Sequence, residues 1–184
     1  MKTLLVGFKK YASHPTNPSE EVLSSFLGKK GIQILLLEAN YEKSRKSLEK
    51  AIAKDKPSFI FIMNLSPYHS TPTLEQYAYN EMDSIQPDEG GNLKTKEEIF
   101  PGAEKSLSTP FDLSRFNQIL STREMESALS VDGGRFFDNE AYYIALKSGI
   151  PSILVHLPLE SLFPVEEDAR LISTIIDLAE KNIA

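Results

Sequence analysis

The stretch Phe59-Ile60-Phe61-Ile62-Met63 is apolar at every position. Three similar short runs lie elsewhere in the chain, at Thr3-Leu4-Leu5-Val6, Ile32-Gln33-Ile34-Leu35-Leu36-Leu37 and Ile153-Leu154-Val155. Strands that are apolar throughout, rather than at alternate positions, are typical of a largely parallel sheet with helices covering both faces. The sequence therefore predicts an α/β fold: a single three-layer α/β/α domain over residues 1–184 with a mostly parallel, twisted sheet of about five or six strands. In such a sheet we expect the functional site at the carboxyl ends of the strands.

Helix and turn signals separate these apolar runs. Asn17-Pro18-Ser19-Glu20 places a capping residue before a proline at the first helical position, which predicts a short helix. The segments from Ser44 to Ala53 and from Glu166 to Asn182 have the spacing of surface helices. The turn signal Gln86-Pro87-Asp88-Glu89-Gly90-Gly91 predicts a small hairpin excursion between Tyr77 and Gly102.

The composition excludes several classes of protein. Twenty basic against 26 acidic side chains give a net charge of −6, and no basic run is long enough to follow a line of phosphates, so we expect no nucleic-acid partner. The apolar stretch near Met1 is too short for a secretory signal or a membrane span, so we expect a cytoplasmic protein without a membrane partner. The chain contains no cysteine, which excludes disulfides, thiolate metal sites and a cysteine nucleophile.

The first of four motifs lies at the start of the chain, where Gly7-Phe8-Lys9-Lys10-Tyr11 is followed at ungapped spacing by Asn17-Pro18-Ser19. This pattern resembles the amino-terminal signature of pyroglutamyl peptidase I, a cysteine peptidase, which reads Gly-Phe-x-Pro-Phe-Gly-Gly and then Asn-Pro-Ser or Asn-Pro-Thr. In that family two aromatic residues sandwich the pyroglutamyl ring, and the matching positions here are Phe8 and Tyr11. The sequence departs from the signature at Lys10, Ala12 and Ser13.

A second match runs from Asn64 to Gly91, where the family has Gly-x-Ala-x-x-Arg, a short gap, Glu-x-x-Ala-x-Asn, then Asp and Pro-Asp-Asn-x-Gly. Seven positions agree in register: Glu75, Ala78, Asn80, Asp83, Pro87, Asp88 and Gly91. Glu75 thereby falls on the catalytic acid of the family. Asn64 replaces a glycine of that pattern, and His69 replaces an arginine.

Two further matches complete the collinear series. The segment from Ser130 to Asn139 corresponds to Ser-x-x-Ala-Gly-x-Tyr-x-Cys-Asn and has Asp138 at the cysteine position. Val155-His156-Leu157-Pro158 resembles the His-Val-Pro of the family, which places His156 at the catalytic histidine. Each motif is short, but four in the same order cover nearly the whole chain and predict the fold of this family.

The resemblance implies a catalytic triad of Glu75, Asp138 and His156 in which Asp138 takes the place of the nucleophile. In the family, a thiolate attacks the amide carbonyl, the histidine moves the proton and the acid orients the imidazole. Since a carboxylate is a far weaker nucleophile toward an amide, we expect no thiol-type peptidase activity. The residues that the resemblance assigns to substrate binding are Phe8, Tyr11, Asn17, Leu65 and His69.

Asp138 has two other interpretations. It precedes a predicted helix, and as an N-cap its carboxylate is expected to accept a hydrogen bond from the backbone N–H of Glu140 or Ala141. Alternatively, Asp138, His156 and Glu75 activate water or bind a divalent metal. Two carboxylates around one imidazole raise its pKa, which makes His156 a poor base. Because no HExxH or comparable spacing occurs, we predict neither a metal site nor a cofactor.

Three hypotheses for the function follow. The first is a homologue without thiol-peptidase activity that retains a pocket for a small-molecule ligand or a peptide N-terminus. The second is an amide hydrolase that releases N-terminal pyroglutamate or a similar cyclic amide through activated water or a metal. The third is a structural or oligomeric partner with a vestigial site, since the family tends to form homo-oligomers.

Overall fold

The computed structural model describes residues 2–183. The helices are α1 (Pro18–Ser24), α2 (Tyr41–Asp55), α3 (Leu113–Thr122), α4 (Phe137–Lys147) and α5 (Val165–Ile183). The strands are β1 (Thr3–Phe8), β2 (Ile32–Leu37), β3 (Phe59–Leu65), β4 (Thr73–Glu75), β5 (Tyr77–Tyr79), β6 (Ser106–Ser108), β7 (Ala128–Ser130) and β8 (Ser152–Leu157). The four apolar runs of the sequence are β1, β2, β3 and β8, as predicted.

Six strands form the central sheet, in the order β2-β1-β3-β8-β4-β7. Neighbouring strands from β2 to β8 are parallel, whereas β4 is antiparallel to β8 and parallel to β7. The prediction of a mostly parallel sheet is therefore confirmed.

Side chains of the central strands alternate between two hydrophobic cores. Leu4 and Val6 of β1 face the core that includes residues of α2 and α4, whereas Leu5 faces the core that includes residues of α1, α3 and α5. In β3, Ile62 belongs to the first core and Phe61 to the second. Helices on both faces explain why the strands are apolar at every position, and the predicted three-layer arrangement is confirmed.

Helix α1 begins as its sequence predicts. Asn17 is in extended conformation and accepts a hydrogen bond from the backbone N–H of Ser19, and Pro18 is the first helical residue. Gly7 of β1 lies beneath this helix, where a Cβ atom would come within 2.9 Å of the Leu23 side chain and 3.0 Å of the Ser19 carbonyl. The absence of a side chain at Gly7 thus lets α1 pack closely on the sheet.

The predicted excursion extends further than expected. It contains a separate two-stranded antiparallel ribbon of β5 and β6, and β6 lies beyond the predicted end at Gly102. Its connection folds back onto the body of the protein at Asp88, which accepts hydrogen bonds from the backbone N–H groups of Tyr41, Gly90 and Asn92. Asp88 thereby adds a capping interaction to the start of α2 and ties its own loop to that helix. Within residues 2–183, none of the helices has the length and hydropathy that crossing a membrane would require.

Candidate active site

Strand register brings Glu75 and His156 onto one face of the sheet. His156 of β8 lies opposite Thr73 of β4, and Glu75 follows two residues later on the same face. Such diagonal neighbours are within reach of long side chains. The Nδ1 atom of His156 lies 2.8 Å from Oε1 of Glu75.

Asp138 reaches the same imidazole from above the sheet. It lies in the first turn of α4, and its Oδ2 is 2.8 Å from Nε2 of His156. Asn64 is the partner of His156 on the neighbouring strand β3, and its Nδ2 donates to the same Oδ2 at 2.9 Å. Glu75, His156 and Asp138 therefore form a continuous carboxylate–imidazole–carboxylate array, which we call the triad.

All members of the triad are buried. Glu75 is 0% exposed, and Asp138 and His156 are each 4% exposed. Burial alone would lower the pKa of His156, but the hydrogen bonds and charges of Asp138 and Glu75 outweigh it and raise the pKa to about 10. His156 is therefore a charged imidazolium at neutral pH, with both nitrogens donating to carboxylates. It cannot accept a proton there as a general base.

Asp138 is correspondingly held as a carboxylate. Burial by itself would raise its pKa, but the bond and charge of His156, together with the Asn64 amide and the Asn139 backbone N–H, lower the pKa below the ordinary value. Its Oδ1 accepts from the Asn139 N–H at 2.9 Å. With three hydrogen bonds in place, this carboxylate is stabilised as an anion and is a weak base and nucleophile.

The prediction that Asp138 is a helix N-cap is wrong. Helix α4 begins one residue before it, at Phe137, and Phe136 occupies the capping position. The carboxylate bonds to the N–H of Asn139 and not to that of Glu140 or Ala141, because His156 and Asn64 draw it toward the sheet. Its place in the first helical turn still lets the helix dipole favour its negative charge.

An open cleft of about 480 Å³ lies over the triad. Residues 11–14, 65–69, 83–86 and 132–136 form its walls, and Asp138 and His156 line its floor. Of the residues assigned to substrate binding, Tyr11, Leu65 and His69 line this cleft. The Tyr11 hydroxyl donates to the Leu65 carbonyl at 2.6 Å, which fixes the loop after β1 against the end of β3.

Phe8 and Asn17 are placed differently from the expectation that they contact a ligand. Phe8 is 0% exposed, and its ring centroid lies 5.0 Å from that of Phe137 in the core. Asn17 is 1% exposed and donates from Nδ2 to Oδ1 of Asn64, besides capping α1. Both residues are therefore buried beneath the site and do not line the cleft.

His69 stacks on the triad histidine. The two rings are nearly parallel, with an interplanar angle of 13° and a centroid separation of 5.5 Å. Burial and the charge of His156 lower the pKa of His69. His69 is therefore a neutral imidazole at neutral pH, on the cleft side of a charged one.

Two supporting residues were not assigned a role from the sequence. The side chain of Asn64 links Asn17 to Asp138 and so connects β3, α1 and α4. Gly133 covers the other end of the triad, where a Cβ atom would lie 3.1 Å from Cδ of Glu75. In the sequence, the adjacent glycines Gly133 and Gly134 before a predicted helix are the feature that could have indicated a close approach of the backbone to another residue.

One triad oxygen has no partner among the described residues: Oε2 of Glu75, which is buried. Possible ligand atoms of His69, Glu75 and His156 all lie within 4.8 Å of one another. Carboxylate and imidazole are suitable ligands for several divalent metals. Coordination by His156 would require it to lose a proton and exchange a carboxylate partner for the ion.

Comparisons with known proteins bear on the family and the fold of this chain. The family model described as pyroglutamyl peptidase matches residues 1–155. The pyrrolidone-carboxylate peptidase of Pyrococcus furiosus is 26% identical over 168 residues, covering 86% of this chain and 81% of that protein. That of Bacillus amyloliquefaciens is 27% identical over 146 residues, covering 77% of this chain and 68% of that protein.

Solved structures show the same fold. A mutant pyrrolidone carboxyl peptidase from the hyperthermophile Pyrococcus furiosus superposes with a TM-score of 0.94 at 24% identity, and the match covers 100% of both chains. The chain belongs to the pyroglutamyl peptidase family.

Proposed function

We propose that this chain is a pyroglutamyl peptidase homologue, built as one domain over residues 1–184, that binds a small molecule or a peptide N-terminus in the cleft without thiol-type cleavage. One observation carries the proposal. At the floor of the cleft, where the motif order puts the nucleophile of the family, the residue is the carboxylate of Asp138, hydrogen-bonded to His156.

The chemistry of the triad supports this assignment. The chain has no cysteine, so a thioester intermediate is excluded. His156 is already protonated, and its Nε2 is committed to the Asp138 carboxylate. A base that holds its proton up to about pH 10 cannot activate a nucleophile at neutral pH. The cleft itself is retained, with aromatic and polar groups converging on one floor.

The decisive experiment compares binding with turnover. Calorimetry with L-pyroglutamate and a pyroglutamyl dipeptide amide measures binding, and release of the dye from a chromogenic pyroglutamyl amide measures cleavage. We expect binding without cleavage, and no effect of iodoacetamide. Cleavage that survives a chelator and is abolished by Asp138→Asn would overturn the proposal in favour of a carboxylate-driven hydrolase.

A gain-of-function variant tests the position of Asp138. Asp138→Cys places a thiol in the first turn of a helix and beside His156, two features that lower a thiol pKa. We expect iodoacetamide-sensitive cleavage of the chromogenic amide to appear. Glu126→Cys, which adds a thiol at an exposed site outside the lining of the cleft, is the matched control and should remain inactive.

A second candidate is a metal-dependent amide hydrolase. The observation that favours it is the grouping of His69, Glu75 and His156, together with the unpartnered Oε2 of Glu75. Titration with Zn²⁺ or Co²⁺, followed by calorimetry and by turnover of the chromogenic amide, distinguishes it. Metal-stimulated turnover that is lost in His69→Ala would support this candidate over the first.

A further inference from the structure

The charge at the floor of the cleft is unusual for a site that would bind an uncharged ring. Asp138 is an anion there, and the one cation of the triad, His156, is already bonded to Asp138 and Glu75. Two further carboxylates, Asp83 and Asp132, line the walls. The cleft therefore presents more negative than positive charge to a ligand.

The remaining cation of the lining is also neutralised. Arg135 is bonded to Asp132, lies 3.6 Å from a Glu81 carboxylate oxygen and stacks over the Tyr79 ring at 3.7 Å. Of the two wall imidazoles, His69 has a lowered pKa, and His14 packs edge-on against Tyr11. An anionic ligand would thus meet carboxylates with no unpaired cation opposite the floor in the described lining.

Asp138 retains capacity for one more donor. An ionised carboxylate has about four lone-pair positions. Two on Oδ2 are used by His156 and Asn64, and one on Oδ1 is used by the Asn139 N–H. The side chain reaches the cleft, so a ligand donor can complete its coordination. A carbonyl oxygen at the same point would be repelled, because the carboxylate offers no hydrogen to donate.

We propose that the cleft selects a protonated amine, in particular the free N-terminus of a peptide, over the uncharged pyroglutamyl ring, with Asp138 accepting a hydrogen bond from the ammonium. This inference rests on the proposed function, since it needs the cleft to be a binding site. It reverses the preference that the family name implies, because the Asp138 carboxylate is an anion with room for one more donor. The apolar walls, Tyr11, Leu65 and Phe136, receive the side chain or ring that carries the amine.

Three dipeptide analogues with the same five-membered ring separate charge from shape. L-Prolyl-L-alaninamide has a ring ammonium, L-pyroglutamyl-L-alaninamide has a neutral lactam N–H, and cyclopentanecarbonyl-L-alaninamide has no ring nitrogen. With the native protein at pH 7, calorimetry is expected to show the prolyl compound binding about tenfold or more tightly than the pyroglutamyl compound, with the cyclopentane compound weakest.

Two variants assign the effect to Asp138. Asp138→Asn keeps the shape of the side chain but removes its charge, and it should bring the prolyl and pyroglutamyl affinities to within about threefold of each other. Glu126→Gln makes the same charge change at an exposed site outside the lining of the cleft and should leave the native ratio unaltered. Thermal unfolding of each variant verifies that it is folded.

The outcomes separate this inference from the proposed function. Equal or tighter binding of the pyroglutamyl compound to the native protein overturns the inference while leaving the cleft as a binding site. If none of the three compounds binds, the proposed function fails, and this inference with it. A prolyl preference that persists in Asp138→Asn also overturns it, because another group would then recognise the ammonium.

Discussion

Replacing Asp138 by asparagine should lower the pKa of His156 toward neutral pH. In the native protein the two carboxylates raise the pKa of His156 from 6.5 to about 10. Each pKa unit corresponds to about 1.4 kcal/mol, so the array contributes on the order of 5 kcal/mol to folding when fully charged. Because the folded-state pKa is above the unfolded one, this stability is complete below about pH 6.5 and is lost as the pH rises toward about 10.

The lowered pKa of Asp138 describes the same ion pair from the other side, so its contribution is not added to that of His156. On the acid side the sign is opposite: the Asp138 interaction stabilises the fold above about pH 4 and is lost as the pH falls below its ordinary pKa of 3.8. The triad therefore stabilises the protein most between about pH 4 and 6.5.

Two other buried acids add to the pH dependence. Burial raises the pKa of Glu140 to about 7 and that of Asp168 to about 8, so both also favour folding at lower pH. Their contribution is lost between their unfolded pKa values and about pH 8. The comparison of native protein with Asp138→Asn cancels this background, since both proteins retain the two acids.

The assay is a two-dimensional NMR titration of the imidazole nitrogens, which is simple because the chain has three histidines. In the native protein His156 should remain protonated through pH 9. In Asp138→Asn its pKa should fall by roughly 1–3 units, because one of its two carboxylate partners is lost. Urea unfolding at several pH values should show that the free energy of unfolding of the native protein falls as the pH rises above 6.5. In Asp138→Asn this fall should be smaller. A His156 pKa near 7 in the native protein would refute the reasoning.

Three further predictions concern the residues that support the site. Ala12→Gly should stabilise the protein by about 1 kcal/mol in chemical denaturation, because Ala12 has φ of 54° in the left-handed region; an unchanged midpoint would argue against strain there. Asn64→Ala should lower the free energy of unfolding by about 1–3 kcal/mol in the same assay, because Asp138 loses one hydrogen-bond donor. The pKa of His156 should change little, since both of its carboxylate partners remain. Asp88→Ala should speed amide hydrogen exchange at Tyr41 without altering exchange at Asn64, because it removes the acceptor of the Tyr41 N–H; equal exchange in both proteins would show that the loop is held in another way.

Local sequence determined much of the architecture. The apolar runs predicted β1, β2, β3 and β8, because strands buried on both faces need apolar side chains at consecutive positions. Asn17-Pro18 predicted the start of α1, because capping and proline placement depend on neighbouring residues alone. The order of four motifs also predicted that Glu75, Asp138 and His156 meet, and their hydrogen bonds show this convergence.

The orientation of individual side chains needed the tertiary structure. Asp138 was predicted as an N-cap, but a partner 18 residues away in the chain turns its carboxylate from the helix end toward the sheet. Phe8 was expected to face a ligand, but Phe137 covers it. In both cases a contact between distant segments outweighs the local preference, and such contacts depend on strand register and helix packing.

The chemical state of the site was likewise decided by the fold. The sequence alone indicated that two carboxylates would raise the pKa of His156, and the structure shows the same direction. The depth of burial, the 2.8 Å contacts at both ring nitrogens of His156 and the hydrogen bonds of Asp138 to Asn64 and Asn139 could not be predicted from residues up to 81 positions apart. Sequence determined which ionisable groups meet, because motif order identifies the fold; the tertiary structure decided their charges, because desolvation and hydrogen-bond geometry exist only once the chain is folded.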